Sequence, residues 1–325
     1  MPTNPRDLSL VEARRLVQRA VDKAEQLGLR GGIAVVGASG ALVTASRLDA
    51  GGPAGMARAA SKAWISATQQ IPSTEHLHRM TTLPAPIAAG FVGISPQAMF
   101  PGAGGIPVLD AAGVVIGGIA ASGATVSPFL PAGVAPEAVS AEGEPANPED
   151  LLIAYALGVP YVGQHGDDRS RWDARFGDLV VAPEDSLGMK PAPVASRQHE
   201  LAWARSVCER VIAAAMDRGV LVSVAVVDRG GDPIAQDRMD DAVAASVDVA
   251  LATAATAARF GAASDELDRL YGPAVKLLDR LNPAPFLGAP GGVPLVVDGR
   301  VVGGLGIGGV DPSTCADIAR EVAAR

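Results

Sequence analysis

Two stretches decide how this chain is read: IAVVGASGALVTASRLDA, Ile33 to Ala50, and VAVVDRGGDPIAQDRMDD, Val224 to Asp241. Laid over one another at an offset of 191 residues, they bring Ala34, Val35, Val36, Gly40, Arg47 and Asp49 onto Ala225, Val226, Val227, Gly231, Arg238 and Asp240. Each consists of two β-branched runs around a glycine-bearing turn, Ala38-Ser39-Gly40 in one and Arg229-Gly230-Gly231-Asp232 in the other, which predicts a β-hairpin. The register extends backwards without a gap. LVEARRLVQRAVDKAEQLG (Leu10 to Gly28) meets LAWARSVCERVIAAAMDRG (Leu201 to Gly219), and Leu10 to Asp49 shares twelve identities with its copy over forty positions. A period this long marks a duplicated domain, since solenoid repeats recur every 20 to 50 residues or so.

Working outward, Ser9 with Glu12 three residues on forms a capping box, and Leu10, Ala13, Leu16, Val17, Ala20, Val21, Ala24 and Leu27 recur at helical spacing until Gly28. Beyond the hairpins lie Ala57 to Gln69 and Ala244 to Phe260, Ala-rich segments that favour helix. A Pro/Gly-rich crossing then leads to a second match, FPGAGGIPVLDAAGVVIGGIAASG (Phe100 to Gly123) against FLGAPGGVPLVVDGRVVGGLGIGG (Phe286 to Gly309). These predict strand pairs, Ile106 to Leu109 with Val114 to Ala120 and Val293 to Val297 with Val301 to Ile307, turning at Asp110 to Gly113 and at Asp298-Gly299. Helix, hairpin, helix, hairpin in each copy implies an antiparallel sheet with helices packed on it, an α+β fold. The domains expected are residues 8–130 and 197–325, with 131–196 as connector.

Composition narrows the function. The 325 residues carry a net charge of -8 and no cluster of Lys and Arg, which argues against nucleic acid as partner. Apolar residues make up 48%, but aromatics only 4%, so the core has to come from Ala, Val, Ile and Leu. The start of the chain is charged where a signal peptide would be apolar, and no run is long enough to cross a bilayer. The expectation is a cytoplasmic protein without membrane contact. Cys208 and Cys315 lack the paired spacing of a zinc site or a disulfide framework.

No nucleotide fingerprint is present, and neither GxSxG nor HExxH occurs. Lys62, in the Ala-rich helix, is a candidate for a buried reactive amine, with a snorkelling surface lysine as the alternative. His76 and His78, in HLH beside Glu75, offer ligands for iron or zinc if they face the same way, as on a strand, and form a solvated pair near the end of the second helix if not. His165, within QHGDDRSRWD, has Asp167, Asp168 and Asp173 nearby and suits a base oriented by a carboxylate, or a solvated loop. Arg47/Asp49 and Arg238/Asp240 lie at the same offset in both halves, which fits either an ion pair fixing the following loop or an Arg recognising an anion. The glycine loop Phe100 to Pro107 lets backbone N–H groups approach a ligand, or serves as a tight crossing. Asn147-Pro148-Glu149-Asp150 reads as a cap opening a short helix, Leu151 to Leu157, inside the connector.

The hairpin ending RLDA or RMDD, the helix with SKAWISA, the FPGAGGIPV loop and the GVVIGGIAASG hairpin together resemble the GlcG/HbpS-like haem-binding family. That domain also forms the C-terminal part of PduO-type cobalamin adenosyltransferases. The resemblance covers Leu8 to about Thr125 and Arg197 to about Asp311. It implies a five-stranded antiparallel sheet with packed helices in each copy, self-association into homo-oligomers, and binding of haem or a related small ligand. Copy one resembles the family in Arg47, Asp49, Lys62, Phe100, Pro101 and Gly102, and copy two in Arg238, Met239, Asp240, Phe286 and Gly288; with the glycine loop, the candidate ligand-binding residues are Arg47, Asp49, Phe100, Pro101, Gly102, Gly104, Gly105, Arg238 and Asp240. Some relatives hold haem iron with a histidine in or near the first helix, and Leu10 to Leu27 contains none. Three readings follow. The first is a binding protein for haem or a small planar or anionic molecule. The second is a nucleotide-independent lyase, isomerase or hydrolase on a small carboxylate or aromatic acid, with Arg47 as anion anchor and Lys62, His76 or His165 moving a proton. The third is a chain that stabilises a partner enzyme.

Overall fold

A computed structural model of the chain describes residues 8–26, 29–49, 51–95, 97–100, 102–123, 148–159, 200–272 and 286–324. These fall into two compact units. One holds the described residues up to Ala41 and from Arg47 to Val159; the other holds Leu42–Ser46 and everything from Glu200 onward.

The first unit opens with α1 (Leu10–Gln26), capped as its sequence demands: Ser9 N donates to Glu12 Oε2 at 3.1 Å and Glu12 N donates to Ser9 Oγ at 3.3 Å. β1 (Gly32–Gly37) follows, then α2 (Ala54–Gln69), α3 (Ser73–Thr82), α4 (Ala85–Ile94), β3 (Gly105–Leu109), β4 (Val115–Ser122) and α5 (Pro148–Leu157). β4 lies between β3 and β1, antiparallel to both. α2 packs on all three strands, and α5 packs on α1, β3 and β4.

In the second unit β2 (Leu42–Arg47, of which all but Arg47 groups here) leads the strand order β2, β6 (Pro233–Arg238), β5 (Ser223–Asp228), β8 (Arg300–Gly308), β7 (Gly292–Val297), every neighbour antiparallel. α6 (Glu200–Asp217), α7 (Ser246–Phe260), a 3-10 turn (Ser264–Glu266), α8 (Leu267–Tyr271) and α9 (Pro312–Ala323) complete it. Each copy thus supplies four strands, and this unit reaches the expected five because a strand of the first copy pairs with it. Thr44 Oγ1 donates to Asp237 Oδ1 at 2.8 Å across that pairing.

The glycines of both strand pairs have a packing reason. A Cβ on Gly118 would lie 2.3 Å from the Ala63 carbonyl oxygen of α2, and one on Gly306 would lie 2.0 Å from the Ala250 carbonyl oxygen of α7. Backbone therefore rests on backbone, which is how an aromatic-poor chain closes its core. Asp298 and Gly299 both take positive φ, 50° and 73°, as the two-residue hairpin turn requires.

Two sequence expectations change. The crossing expected after the second helix contains α3 and α4, whose starts coincide with Pro72 and Pro84; proline at a helix start costs no hydrogen bond. The short helix expected inside the connector belongs to the first unit, with Leu152, Ile153, Ala154 and Ala156 buried. Among the described residues no helix is long and apolar enough to cross a membrane.

Candidate functional site

Three buried charged residues of the first unit, Lys62, Glu149 and Asp150, meet at one point. Lys62, on the face of α2 turned to β3 and β4, is 2% exposed. Its Nζ donates to Glu149 Oε2 at 2.5 Å, to the Ala103 carbonyl at 2.6 Å and, at 3.4 Å, to the Ala121 carbonyl. Glu149, in the first turn of α5, also accepts from Gly123 N at 2.7 Å through Oε1. Its neighbour Asp150 accepts from Gly104 N at 2.7 Å. The lysine is buried and engaged, so of its two sequence readings the snorkelling one is set aside.

The glycine loop is fixed from below. Ser61 Oγ donates to the Ala98 carbonyl and accepts from Phe100 N, both at 2.7 Å. Ser73 Oγ donates to the Gly102 carbonyl and accepts from Gly105 N at 3.0 Å. A Cβ on Gly104, whose φ is +101°, would lie 2.6 Å from both the Ala121 oxygen and Glu149 Cβ; one on Gly105 would lie 2.6 Å from Ser73 Oγ. Gly104 and Gly105 are therefore demanded by the crossing itself. The second unit repeats the device, with Gly292 N donating to Ser264 Oγ at 2.9 Å. Ser73 went unnoticed in the sequence, although its counterpart at the same 191-residue offset was there to be found.

Phe100 sits at the rim of this loop, 47% exposed. The Arg58 guanidinium is 5.8 Å and the Lys62 ammonium 5.7 Å from its ring centre. None of the residues of α4 is buried, and Ile87, Phe91, Val92 and Ile94 are all exposed. The counterpart of Phe100 is Phe286, whose ring instead packs edge-on against Phe260 at 5.8 Å. Arg58 and Lys62 correspond to Val249 and Thr253. An exposed aromatic under two cations belongs to the first copy only.

The other candidates are more scattered. His76 lies on α3, 5% exposed, and its Nε2 has no hydrogen-bond partner among the described residues. Burial, and then the neighbouring Arg79, lower its pKa. His78 stands two residues further along the same helix, and positions two apart on a helix do not face one another. The two positions thus lie on a helix and not on a strand, and among the described residues no cluster of three metal-ligating side chains occurs. Arg47 is buried and Asp49 half-buried at the end of β2. Arg238 is 9% exposed and donates to the carbonyls of Leu42 and Ala242, each at 3.0 Å, while Asp240 is exposed. The Arg238 guanidinium is thus directed into the fold. Pro101 and His165 lie outside the described residues.

Comparison with known proteins now places the chain in a class. The family model described as haem degrading protein HbpS-like matches residues 8–128 and again 200–324. This chain belongs to the HbpS-like family and carries its domain twice. An uncharacterised 15.0 kDa protein from the dhaT–dhaS intergenic region of Citrobacter freundii is 33% identical over 111 residues, 34% of this chain and 78% of that one. A double mutant of Streptomyces reticuli HbpS is 34% identical, covering 38% of this chain and 84% of its own, with a TM-score of 0.36. A PduOC:heme complex is 30% identical over 37% and 88%, with a TM-score of 0.33.

Haem iron needs an axial His, Cys, Met or Tyr. Neither α1 nor α6 contains a histidine, His76 is enclosed on α3, and Cys208 and Cys315 are buried. These residues do not fit a haem held through a first-helix histidine.

Proposed function

We propose that this protein binds a small planar, anionic molecule on its first copy, at the face made by Phe100, Arg58 and the apolar side chains of α4. The observation that carries the reading is the exposed Phe100 ring beneath two cations, against its packed and uncharged counterpart Phe286. An aromatic ring offers a stacking surface and a guanidinium a charge for the ligand's anionic edge. The second copy, which lacks both cations, serves as scaffold. Family membership supports the planar, anionic class, because haem has both properties, while retention here rests on stacking and charge. The enzymatic alternative finds less support, since the Lys62 ammonium is engaged by a carboxylate and carbonyls.

Titration with 8-anilinonaphthalene-1-sulfonate, a planar anion that fluoresces in apolar surroundings, tests this. The intact chain is expected to give saturable fluorescence, with affinity reduced about tenfold by Phe100→Ser or Arg58→Glu, as befits loss of a desolvated stacking or charge contact. Equal binding by the three proteins would discard the site. Haemin titrated in parallel decides the finer question: a Soret band that shifts and saturates assigns haem, and an unshifted band removes it. Native mass spectrometry of the same samples reads the self-association expected of the family.

A further inference from the structure

The contacts around Glu149 and Asp150 describe a receptor as much as a structural tie. A buried carboxylate is costly unless it is paired, and the donors to three of these four oxygens come from elements other than α5: Lys62 Nζ from α2 to Glu149 Oε2, Gly123 N just past β4 to Glu149 Oε1, and Gly104 N from the loop to Asp150 Oδ1. They converge on two adjacent carboxylates that a single helical turn inserts between them.

The second copy shows that the fold does not require this arrangement. There α9 packs on β7 and β8 as α5 packs on β3 and β4. The glycine equivalent to Gly104 is Gly291, at φ +124°, and an added Cβ would meet Cys315 Cβ of α9 at 3.4 Å where Gly104 faces Glu149. Thr253 replaces Lys62 and turns its hydroxyl to the Val249 and Ala250 carbonyls of its own helix, at 2.8 and 3.1 Å. An uncharged cover closes that copy without any carboxylate.

We infer that Lys62 with the backbone N–H group of Gly123 forms a carboxylate-binding cradle, which Glu149 fills as a tethered ligand beside the Asp150–Gly104 contact and which takes a small free mono- or dicarboxylate when α5 disengages. Arginine or lysine combined with backbone donors is the usual way a protein holds a carboxylate, and the charge-assisted bonds are the strong ones. α5 then acts as an internal competitor.

Chemical rescue tests the cradle. Glu149→Ala in the full chain vacates it and leaves the Lys62 charge uncompensated. Sodium acetate is expected to raise the Tm of this variant in a saturable way, beyond sodium chloride at equal ionic strength, and to do nothing for Lys62→Met/Glu149→Ala. If Glu149→Ala folds only when acetate is present, that is the same result in stronger form. If acetate and chloride act alike, or neither yields folded protein, the cradle is overturned. The intact chain supplies the second measurement: malonate, against chloride, should speed hydrogen exchange of the α5 amides 151–157, and Lys62→Met should abolish the difference. No acceleration would overturn displacement of α5. The Phe100 reading is tested separately, by a different probe and by Phe100→Ser and Arg58→Glu, both of which keep Lys62 and Glu149, so the two readings can fail independently.

Discussion

The ammonium of Lys62 lies 2.5 Å from Glu149 Oε2, joining the middle of α2 to the first turn of α5, with side-chain exposures of 3% and 4%. Breaking such a pair from one side leaves a charge in a place built for two. Lys62→Met is expected to cost about 3–5 kcal/mol, and Lys62→Met/Glu149→Gln distinctly less than the two single losses together. Urea denaturation of all four proteins measures the coupling. Additive losses would show that the contact is not an energetic unit.

Burial and Arg79 hold the His76 ring below its ordinary pKa of 6.5, so the folded chain takes up that proton at lower pH than the unfolded chain does. Between those two values the unfolded state binds more protons. Stability from this group is therefore complete above about pH 6.5 and is lost as pH falls through the folded value. Thermal melts at about pH 7 and about pH 5 should show a larger drop for the intact chain than for His76→Gln. Parallel drops would exclude His76 as the titrating group.

Glycine positions divide sharply by their surroundings. Gly306→Ala places a methyl 2.0 Å from the Ala250 oxygen and is expected to destabilise the second unit by about 3 kcal/mol or more. Gly90→Ala, on α4 with nothing within 4 Å, should instead be neutral or gain about 0.5–1 kcal/mol. Melting temperatures of the pair decide, and a mild Gly306→Ala would refute the close backbone contact.

Thr44 and Asp237 are 2% and 5% exposed, and their hydrogen bond spans the β2–β6 pairing. Thr44→Val keeps the shape but removes the donor to a buried carboxylate, for an expected loss of about 1–3 kcal/mol. Thr44→Ser, which restores a donor, should recover most of it. Equal stability of the Val and Ser variants would leave the bond without weight.

What the sequence revealed was local. The capping box at Ser9, the Asp298-Gly299 turn and the glycine-rich strands each depend on residues a few positions apart, and each formed as read. The α3 and α4 helices escaped notice because proline, which marks their starts, also marks loops. The partner of Lys62 escaped for a different reason: Glu149 is 87 residues away, and nothing near either residue announces the other. The pairing of β2 with β6 was equally hidden, since alternation identifies a strand and a face but not the neighbour it chooses. Phe100 is legible from its loop, whereas its exposure is not, since the aromatic that packs on Phe286, Phe260, has Gln69 at its position in the first copy.

The grouping of Leu42–Ser46 with the second unit bears on what the second copy would lack as a separate polypeptide. A chain cut anywhere within residues 131–196 would release a C-terminal half whose outermost strand had stayed behind with the other piece. The bare flank of β6 would then offer its unpaired amides to any extended segment at hand. A second copy made as a separate polypeptide would therefore expose a site for aggregation that the intact chain covers with its own β2.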